Sequence, residues 1–592
     1  MGVLLANFVL LFAINIGARS NGSVYFNGGL NWYKTYWYDS DESALNDGAI
    51  AKFAHKSGDT VYVKTWQMLT TIGGDTENGA DEITLISKDS KISISSGLDG
   101  SIAGHSFTVN GNGITVEVSA PLIINGSDNG HITLKNITVS NTTSQSAVLS
   151  VGKDTAGPSV TLDNACITGL GSYLGGVLLA NSSDIELKNG ASVKNADTVN
   201  GESNNYTGVI LKGKNPSLKM YSDSLIESYG DAVCTLSKAN VTIDGGKLHS
   251  VNGRAICVSS GSEATVNGGE CLGGGIAVAQ VCDGLLTVNG GSFYALDNGN
   301  GMRGVIVSGD KDANGGSAVI NAGNFYDVSS SADWIFDLNE SKDGKASLVL
   351  KSATTFGNYR VYSGNNGEGA IKTATLVLGA SIRTQKDSSG IRFQSRLEKS
   401  SFAAIEMIDE NAEIGTAIVP FEYLEKTGGI FTRDALLGAG FDCLEIPCDK
   451  GFSDKGSEYL INAAMTNVKT KNYARDFVAV PYVSFNTADG ATVNAYGEFN
   501  KNDNVRNVVR VAYSALSDVL VEGDAVSGGE TVTKEYAKKL GYGNTVTEWY
   551  EYDEATGIAT LMHGVAYTEY STAQREVIRG YIDTYEQMKA KG

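Results

Sequence analysis

The chain has 592 residues, of which 72 are glycine and 6 are proline, and its formal net charge is −20. This length allows two or more domains with large cores, and high glycine with little proline favours a turn-rich β protein over a disordered or collagen-like chain. The acidic balance argues against sequence-independent binding to nucleic acid or to an anionic membrane, since both require a basic surface.

Residues 1–20 form an apolar run of signal-peptide length that ends in small residues. We interpret this run as an export signal, although it lacks the usual basic residues at its start. A short membrane anchor is the alternative, which Asn7, Asn15 and the shortness of the run disfavour. No other segment is apolar enough to cross a membrane, so the sequence predicts a secreted or cell-surface protein with no membrane contact beyond this signal.

Residues 21–40 contain the aromatic cluster Asn31-Trp-Tyr-Lys-Thr-Tyr-Trp-Tyr38. If exposed, this cluster is a platform on which sugar rings stack. If packed, it is a strand that seals the end of the following domain. We favour the packed form because large aromatic side chains usually bury much of their area.

Residues 41–362 contain one short phrase four times: Val241-Thr-Ile-Asp-Gly-Gly-Lys-Leu248, Ala264-Thr-Val-Asn-Gly-Gly-Glu-Cys271, Leu286-Thr-Val-Asn-Gly-Gly-Ser-Phe293 and Ala318-Val-Ile-Asn-Ala-Gly-Asn-Phe325. The alternating apolar run of each copy predicts a strand, and the Asn or Asp and glycine that follow predict a tight bend. The central residues Ile243, Val266, Val288 and Ile320 are 23, 22 and 32 positions apart. This period predicts a solenoid, because one coil cannot bury its own apolar face.

Two columns of apolar residues extend this pattern. The first column contains Val63, Leu85, Val109, Leu134, Leu162, Leu187 and Met220 upstream of Ile243, and Val349 downstream of Ile320. The second column precedes the first along each coil and contains Val148, Val177, Val209, Val233, Ile256, Ala277, Val305 and Ile335. Two columns with matched spacing predict about twelve coils of a parallel β-helix between residues 61 and 351.

The segment from Ser43 to Val63 predicts a capping helix followed by a first strand, with Ala44, Leu45 and Ala49 on the apolar face of the helix together with Phe53 and Ala54. With the two columns, this segment resembles the start of a right-handed parallel β-helix of the pectate-lyase-like group. The resemblance covers about half of the chain and implies architecture only, since the group includes lyases, hydrolases, adhesins and inert scaffolds.

A Gly- and Asn-rich linker is predicted at 363–371, followed by a separate α+β domain at 372–592. The predicted helices are Ser457–Met465, Asn504–Leu516 and Thr572–Lys589, the last with a capping box of Ser571 and Gln574. The predicted strands are Leu376–Arg383, Gly390–Phe393, Ile414–Val419 and Phe477–Val483.

Four short motifs occur together in this domain: Gly379-Ala-Ser-Ile-Arg383, Gly390-Ile-Arg-Phe393, Ala417-Ile-Val-Pro420 and Asn472-Tyr-Ala-Arg-Asp-Phe477. Together they resemble a C-terminal module of secreted proteins from gut and rumen Firmicutes. The resemblance implies a secreted bacterial protein and carries no activity.

The seven cysteines lack a repeated metal-type spacing. Cys234 and Cys257 occupy equivalent positions one coil apart, where stacked thiols are favoured over a disulfide. Cys443 and Cys448 are candidates to close a small loop in an exported protein. Paired Cys-x-x-Cys knuckles and His-Glu-x-x-His are absent from the sequence, so we predict no metal site and no cofactor.

The candidate site is the column of residues that precede the second-column strands, namely Ser146, Gly175, Thr207, Asp231, Arg254, Gly275, Arg303 and Asp333. It places the carboxylate of Asp231 beside the cation of Arg254, with a second cation at Arg303. Such a column can orient an acidic sugar, which makes Asp231, Arg254, Arg303 and Asp333 the candidate ligand-binding residues. The alternative, which we favour, is a surface ion pair worth less than about 1 kcal/mol.

The constellations that catalysis requires are absent from the sequence. A lyase of this group needs convergent carboxylates for calcium and a basic side chain, and a hydrolase needs paired aspartates. The turn positions Asn267, Asn289 and Asn321 instead predict a partial asparagine ladder, which stabilises stacked coils.

We therefore predict a non-catalytic secreted or cell-surface protein that contacts a polysaccharide or host glycan and binds no nucleic acid. The sequence carries no signal for the oligomeric state. The alternative is a polysaccharide lyase or glycoside hydrolase that acts on acidic polysaccharide, with Arg254 or Arg303 as the base and Asp231 assisting.

Overall fold

The computed structural model describes residues 24–28, 31–35, 38–54, 60–75, 80–94, 99–102, 104–126, 129–141, 147–153, 157–171, 176–195, 206–299, 301–327, 331–357, 360–363, 371–376, 380–385, 390–427, 431, 433–448, 452–486, 492–497, 505–515, 550–553, 558–561 and 571–591. The predicted signal at 1–20 and most of the predicted linker at 363–371 lie outside these ranges, as do Ser146 and Gly175 of the predicted column. The chain is mainly β, with 49% strand and 15% helix. It forms two compact units, Met1–Asn324 with Asp337–Val349, and Phe325–Phe336 with Leu350–Gly592.

The first unit is a parallel β-solenoid built from three sheets, which the chain visits in turn on each coil. Sheet 1 contains Glu82–Leu85, Ser106–Asn110, His131–Lys135, Ser159–Asp163, Asp184–Lys188, Ser217–Met220, Asn240–Ile243, Ser262–Val266, Gly284–Val288, Gly316–Ile320 and Ser347–Leu350. Sheet 2 contains Lys91–Ile94, Thr115–Val118, Thr138–Asn141, Cys166–Gly169, Ser192–Asn195, Leu225–Ser228, Lys247–Ser250, Glu270–Gly273 and Ser292–Ala295. Sheet 3 contains Asp99–Ile102, Leu122–Gly126, Leu149–Val151, Leu178–Asn181, Val209–Lys212, Val233–Thr235, Ile256–Val258, Ala277–Val281 and Met302–Ser308.

The solenoid has about nine turns, against the 12 coils expected from the apolar columns. The difference lies at the two ends. Val63 belongs to a strand, Thr60–Val63, that pairs antiparallel with Ala51–Ala54 and so forms no coil. At the other end, Ile335 belongs to the second compact unit. Val63 and Ile335 continue the apolar columns because both side chains are buried.

The first apolar column is confirmed over most of its length. Leu134 pairs in register with Val109 and with Leu162, and the same alignment continues one strand at a time through Leu187, Met220, Ile243, Val266, Val288 and Ile320. None of these side chains is more than 1% exposed. At the start of the column the register differs, because Ile83 and not Leu85 pairs with Val109. At its end the prediction of Val349 as an interior residue is wrong, since that side chain is 38% exposed.

The second apolar column is confirmed in its middle and shifted elsewhere. Val209, Val233 and Ile256 pair as predicted. Ile256 then pairs with Ala279 and not with Ala277, and the next partner is Ile306 and not Val305. Every residue of Ala277–Val281 is buried, so its apolar pattern does not distinguish one register from the next.

The N-terminal cap differs from the prediction. The helix spans only Asp41–Asn46, begins after the N-cap Ser40, and is followed by the strand Ala51–Ala54. A second helix, Trp66–Gly73, was not predicted; the Thr65 side chain caps it, and it buries Leu69 and Ile72 among other residues. In the predicted aromatic segment, Asn31–Thr35 forms a strand that pairs antiparallel with Val24–Gly28.

The asparagine ladder is confirmed on the turns between sheets 1 and 2. The Asn267 amide donates to Asp244 Oδ1 at 2.7 Å, and Asn289 donates to Asn267 Oδ1 at 2.8 Å. Asn321 continues the chain by donating to Asn289 Oδ1 at 2.7 Å. Each interior amide therefore donates to the preceding coil and accepts from the next one.

Asn289→Ala is expected to lower the free energy of unfolding by about 1–2 kcal/mol, because it removes one donor and one acceptor from the ladder. Asn321→Ala removes only the bond to Asn289 that is seen in the ladder, so it should cost about half as much. Urea denaturation followed by circular dichroism measures both. Equal losses in the two variants would show that the amides do not act as a ladder.

A hydrogen-bonded cluster lies on the outer face of sheet 1. His131 Nδ1 is 2.6 Å from Ser159 Oγ, and His131 Nε2 is 3.2 Å from Thr161 Oγ1. Burial lowers the pKa of His131, although the charge of Glu186 acts in the opposite direction. The folded protein therefore holds this imidazole neutral at a pH where the unfolded chain binds a proton.

The free energy of unfolding is expected to fall as the pH drops below the unfolded pKa of 6.5, because only the unfolded state gains a proton there. His131→Gln should remove part of this pH dependence. Urea denaturation of both proteins at pH 7.5 and pH 5 tests this. An identical pH dependence in the two proteins would contradict it.

The second unit is an α+β domain with two principal sheets. One contains Ala353–Phe356, Glu413–Pro420, Leu444–Pro447, Phe477–Asn486, Thr492–Tyr496 and Val505–Arg506, and the other contains Thr375–Leu376, Ser381–Ile382, Gly390–Glu398, Ser453–Lys455 and Glu458–Thr466. Further strands are Asn324–Tyr326 and Ala332–Leu338, where the division between the units falls, and Arg360–Ser363, Ile371–Lys372, Tyr550–Asp553 and Ile558–Leu561. The helices are Lys399–Ile408, Phe421–Lys426, Arg433–Gly438, Val508–Ala515 and Thr572–Ala590, with a 3₁₀ turn at Thr470–Asn472.

Three of the four predicted strands of this domain are confirmed, whereas in place of Leu376–Arg383 the structure describes two short strands, Thr375–Leu376 and Ser381–Ile382. Two of the three predicted helices are confirmed, and the one predicted at Asn504–Leu516 begins only at Val508. The helix Thr572–Ala590 carries the predicted capping box of Ser571 and Gln574 and buries Ile578 and Tyr581. The predicted helix at Ser457–Met465 is wrong, since Glu458–Thr466 is a strand that pairs with Gly390–Glu398 along its whole length. Its buried residues alternate along the segment, which is the period of a strand.

Candidate functional site

A groove with a volume of about 680 Å³ lies along the solenoid where sheet 2 turns into sheet 3. Successive coils contribute their turns to its wall: Gly230 and Asp231, then Asn252, Gly253 and Arg254, then Gly275 and Ile276. The outward-facing side chains of sheet 3, among them Ile210, Cys234 and Cys257, form its floor. All of these residues belong to the solenoid unit.

Close stacking of the turns depends on glycine at position 253. A Cβ at Gly253 would lie 2.5 Å from the backbone nitrogen of Asp231, a distance that real Cβ atoms do not adopt. The absence of a side chain lets this turn lie directly against the turn of the preceding coil. This contact brings the next residue, Arg254, within reach of Asp231.

Asp231 and Arg254 form an ion pair across two adjacent coils. The carboxylate accepts from Arg254 Nε at 2.9 Å on Oδ1 and from Nη2 at 2.6 Å on Oδ2. The backbone N–H of Arg254 also donates to Oδ1, at 2.7 Å. The Arg254 side chain is only 23% exposed and the Asp231 side chain only 13%. The pair is therefore largely withdrawn from water and is not the surface ion pair that we favoured from the sequence.

Arg254 is also fixed on its other side. Its Nη1 donates to Gln280 Oε1 at 2.7 Å, and the Gln280 side chain is buried. Burial by itself would lower the pKa of Arg254, but the negative charge of Cys257 and the hydrogen bond to Asp231 outweigh it and raise that pKa. The guanidinium is therefore held charged and in one position.

Three free thiols lie beside the ion pair. Cys234 and Cys257 are register partners on neighbouring strands, as the sequence predicted, and both are free cysteines. Cys257 is within hydrogen-bonding reach of Cys234 and of a third free thiol, Cys282. These two hydrogen bonds, assisted by the Arg254 charge, lower the pKa of Cys257, while the same contact and burial raise the pKa of Cys234.

The groove also has an apolar part. Leu236 is 41% exposed and Ile276 is 46% exposed, and both line the groove. Polar side chains of Asn252, Ser259 and Thr207 complete the lining. The arrangement places exposed apolar surface beside the hydrogen-bonded side chains of Asn252, Ser259 and Arg254.

The structure brings together only part of the predicted column. Asp231 and Arg254 meet, and Thr207 and Gly275 line the same groove. Arg303 is not part of the lining; its Nη2 lies 3.1 Å from Oδ2 of the buried Asp337. Asp333 is exposed and belongs to the second unit.

Arg254 and Arg303 do not occupy equivalent positions on their coils, as the predicted column required. Ala277 pairs with Gly304, and the N–H of Arg303 donates to Ile276, so Arg303 is level with Ile276. The predicted alignment of Arg254 with Gly275 fails for the same reason as the shifted second column, since the buried strand that follows permits more than one register.

Sequence reasoning missed much of this site, including Leu236, Ile276, Gln280 and Cys282. One signal for Cys282 was present, because it follows Cys257 by 25 positions and Cys257 follows Cys234 by 23. The sequence contained no indication that Gln280 belongs to the site. A glutamine within an apolar run is normally predicted to be exposed, whereas this one is buried. Cys443 and Cys448, in the second unit, flank the strand Leu444–Pro447.

Comparisons with protein-family models, with curated proteins and with solved structures found no match to this chain. Among the residues that the structure describes, no helix combines the length and the apolar character needed to cross a membrane.

Proposed function

We propose that this protein is secreted or displayed on a cell surface and that its solenoid binds a polysaccharide or host glycan without catalysing a reaction. The groove carries this proposal. Sugar rings present apolar faces edged by hydroxyl groups, and a site for them needs apolar surface beside a few fixed polar groups. The exposed Leu236 and Ile276 beside Asn252 and Ser259 provide that combination.

The state of Arg254 favours binding over catalysis. A base must lose its proton, whereas the guanidinium of Arg254 is paired with Asp231 and its pKa is raised. Within the described residues, no three carboxylates converge where calcium would bind. The alternative of a lyase with Arg254 as its base therefore has less support than a binding role.

The charge of the groove favours a neutral glycan. The positive charge of Arg254 is balanced by Asp231 at 2.6 Å, and the chain as a whole carries a net charge of −20. An acidic polysaccharide would meet repulsion from the protein without an unbalanced cation in the groove to offset it.

We also propose which groups of proteins the two domains are related to. The capping segment and the apolar columns support a relation of the solenoid to the pectate-lyase-like group. The motifs at Gly390–Phe393 and Ala417–Pro420 support a relation of the C-terminal domain to a module of secreted Firmicutes proteins. The apolar run at 1–20 supports export.

A panel of neutral and acidic glycans tests the proposal with the full-length protein. We expect binding of a neutral glycan with a Kd that rises at least tenfold in Ile276→Ser, since this change removes exposed apolar surface from the groove. Val349→Ser is the matched control, because Val349 is 38% exposed on the same unit and is not part of the groove lining.

Two results would overturn the proposal. One is the absence of binding to every member of the panel. The other is release of unsaturated uronides from acidic polysaccharide that stops in Arg254→Ala, which would establish the lyase.

A further inference from the structure

We propose that Cys234, Cys257 and Asp231 form a zinc site in the groove, with the remaining coordination position open to the ligand side. This site goes beyond glycan binding and does not depend on it, since the three ligands come from the floor and wall of the solenoid itself. The sequence shows no metal-type spacing because the ligands come from successive coils and not from one short motif.

The geometry places the three ligand atoms together. Within the described part of the chain, the two Sγ atoms and a carboxylate oxygen of Asp231 lie within 4.8 Å of one another. Tetrahedral zinc with bonds of about 2.0–2.3 Å separates its ligand atoms by about 3.5–3.8 Å. Small side-chain rotations are enough to close the difference, because Cys234 and Cys257 already occupy paired positions on adjacent strands.

Asp231 retains capacity for a metal ion although it pairs with Arg254. A carboxylate has about four acceptor sites. Among the described residues, Oδ1 accepts from the backbone N–H and Nε of Arg254, and Oδ2 accepts from Nη2 alone. One site of Oδ2 is thus left for a metal, and Arg254 fixes the orientation of the carboxylate, as outer-shell partners of metal ligands do.

The charges balance when zinc is bound. Two thiolates and one carboxylate carry three negative charges, which the divalent ion and the Arg254 guanidinium neutralise together. This balance matters because Cys257 is 4% exposed and a partly buried site tolerates little net charge. Two thiolate ligands select zinc over the hard ions calcium and magnesium, which prefer oxygen.

The open position distinguishes this site from a structural zinc site. Structural sites use four protein ligands, whereas three protein ligands leave one position for water or a substrate oxygen. Asp231, Cys234 and Cys257 all line the groove, so that position lies on the side where a ligand enters. An ion placed there would bind a hydroxyl or carboxylate oxygen of that ligand.

The test uses the full-length protein, purified with a non-thiol reductant, loaded with Zn²⁺ and dialysed before metal analysis. We expect about one zinc per chain. Cys234→Ser and Cys257→Ser should each lose it, and Asp231→Asn should raise the Kd at least tenfold. Co²⁺ should give a thiolate-to-cobalt charge-transfer band that disappears in both serine variants. Cys166→Ser is the control, because Cys166 lies on sheet 2 and should retain both signals.

Three outcomes would overturn the site. They are wild-type protein that retains no zinc, zinc retained at wild-type affinity in Cys257→Ser, and a Cys234–Cys257 disulfide that persists under reductant. Circular dichroism shows whether each variant is folded. If a serine variant does not fold, the conservative Asp231→Asn variant still tests the site. Glycan binding is measured separately without zinc, so failure of the metal site and failure of the glycan proposal are distinguishable.

Discussion

Leu187→Ala is expected to lower the free energy of unfolding by about 3–5 kcal/mol, near the upper end for a buried leucine. Leu187 is 0% exposed and lies between Leu162 and Met220 in the interior column of sheet 1. Backbone hydrogen bonds hold neighbouring strands about 4.8 Å apart, so the column cannot collapse into the cavity left by the missing methyl groups. Guanidinium denaturation followed by circular dichroism measures the loss.

The control for this substitution is Leu236→Ala, which makes the same chemical change at a site that is 41% exposed. Its expected cost is below about 1 kcal/mol, because it creates no buried cavity. Similar losses in both variants would mean that the interior column is not packed as a continuous core. Each coil contacts only its neighbours, so a large local loss should also lower the cooperativity of unfolding.

Arg254→Ala is expected to cost about 3 kcal/mol, because it leaves the carboxylate of Asp231 largely buried without its cation. The Asp231 side chain is only 13% exposed, and Gln280 loses its donor at the same time. The remaining hydrogen bond from the backbone of residue 254 keeps the loss at the lower end of the range for broken buried pairs. The double variant Asp231→Ala with Arg254→Ala should recover part of the stability, since no charge is then left buried.

Lys345→Ala provides the comparison with an exposed ion pair. Lys345 is 80% exposed and lies 3.6 Å from Asp343, so its removal should change the free energy of unfolding by less than about 0.5 kcal/mol. Equal losses of stability in Arg254→Ala and Lys345→Ala would contradict the conclusion that the Asp231–Arg254 pair is largely buried. They would instead support the surface ion pair that was inferred from the sequence. Urea denaturation at two salt concentrations separates the cases further, because salt screens only the exposed pair strongly.

Sequence patterns predicted register correctly along most strands that alternate apolar and polar residues, although at Glu82–Leu85, which also alternates, the register is shifted by two residues. Val241, Ile243 and their equivalents in the repeated phrase leave one face buried and one exposed, so a slip by one residue would put the apolar set into water. The asparagine ladder followed from the same alignment. Ala277–Val281 has no such alternation, and the prediction lost the register there.

The misassigned helix in the C-terminal domain has a similar cause. Glu458–Thr466 contains alanine, leucine and methionine, which favour a helix locally. Pairing with Gly390–Glu398 overrides that preference, because the strand satisfies its backbone hydrogen bonds across nine paired positions. Thr572–Ala590 was predicted correctly because its capping box and its helical period agree with each other.

The sequence by itself determined that this chain forms a parallel solenoid, which side chains of the first column fill its interior, and that Asp231 faces Arg254 on the next coil. A repeated phrase near a constant period contains this information, since equivalent residues must stack. Only the tertiary structure decided that the pair is largely buried, that Gln280 and three thiols surround it, and that Leu236 and Ile276 line a groove beside it. Those contacts join residues at unequal offsets in different coils, and their distances depend on turn shapes that the period of a sequence does not encode.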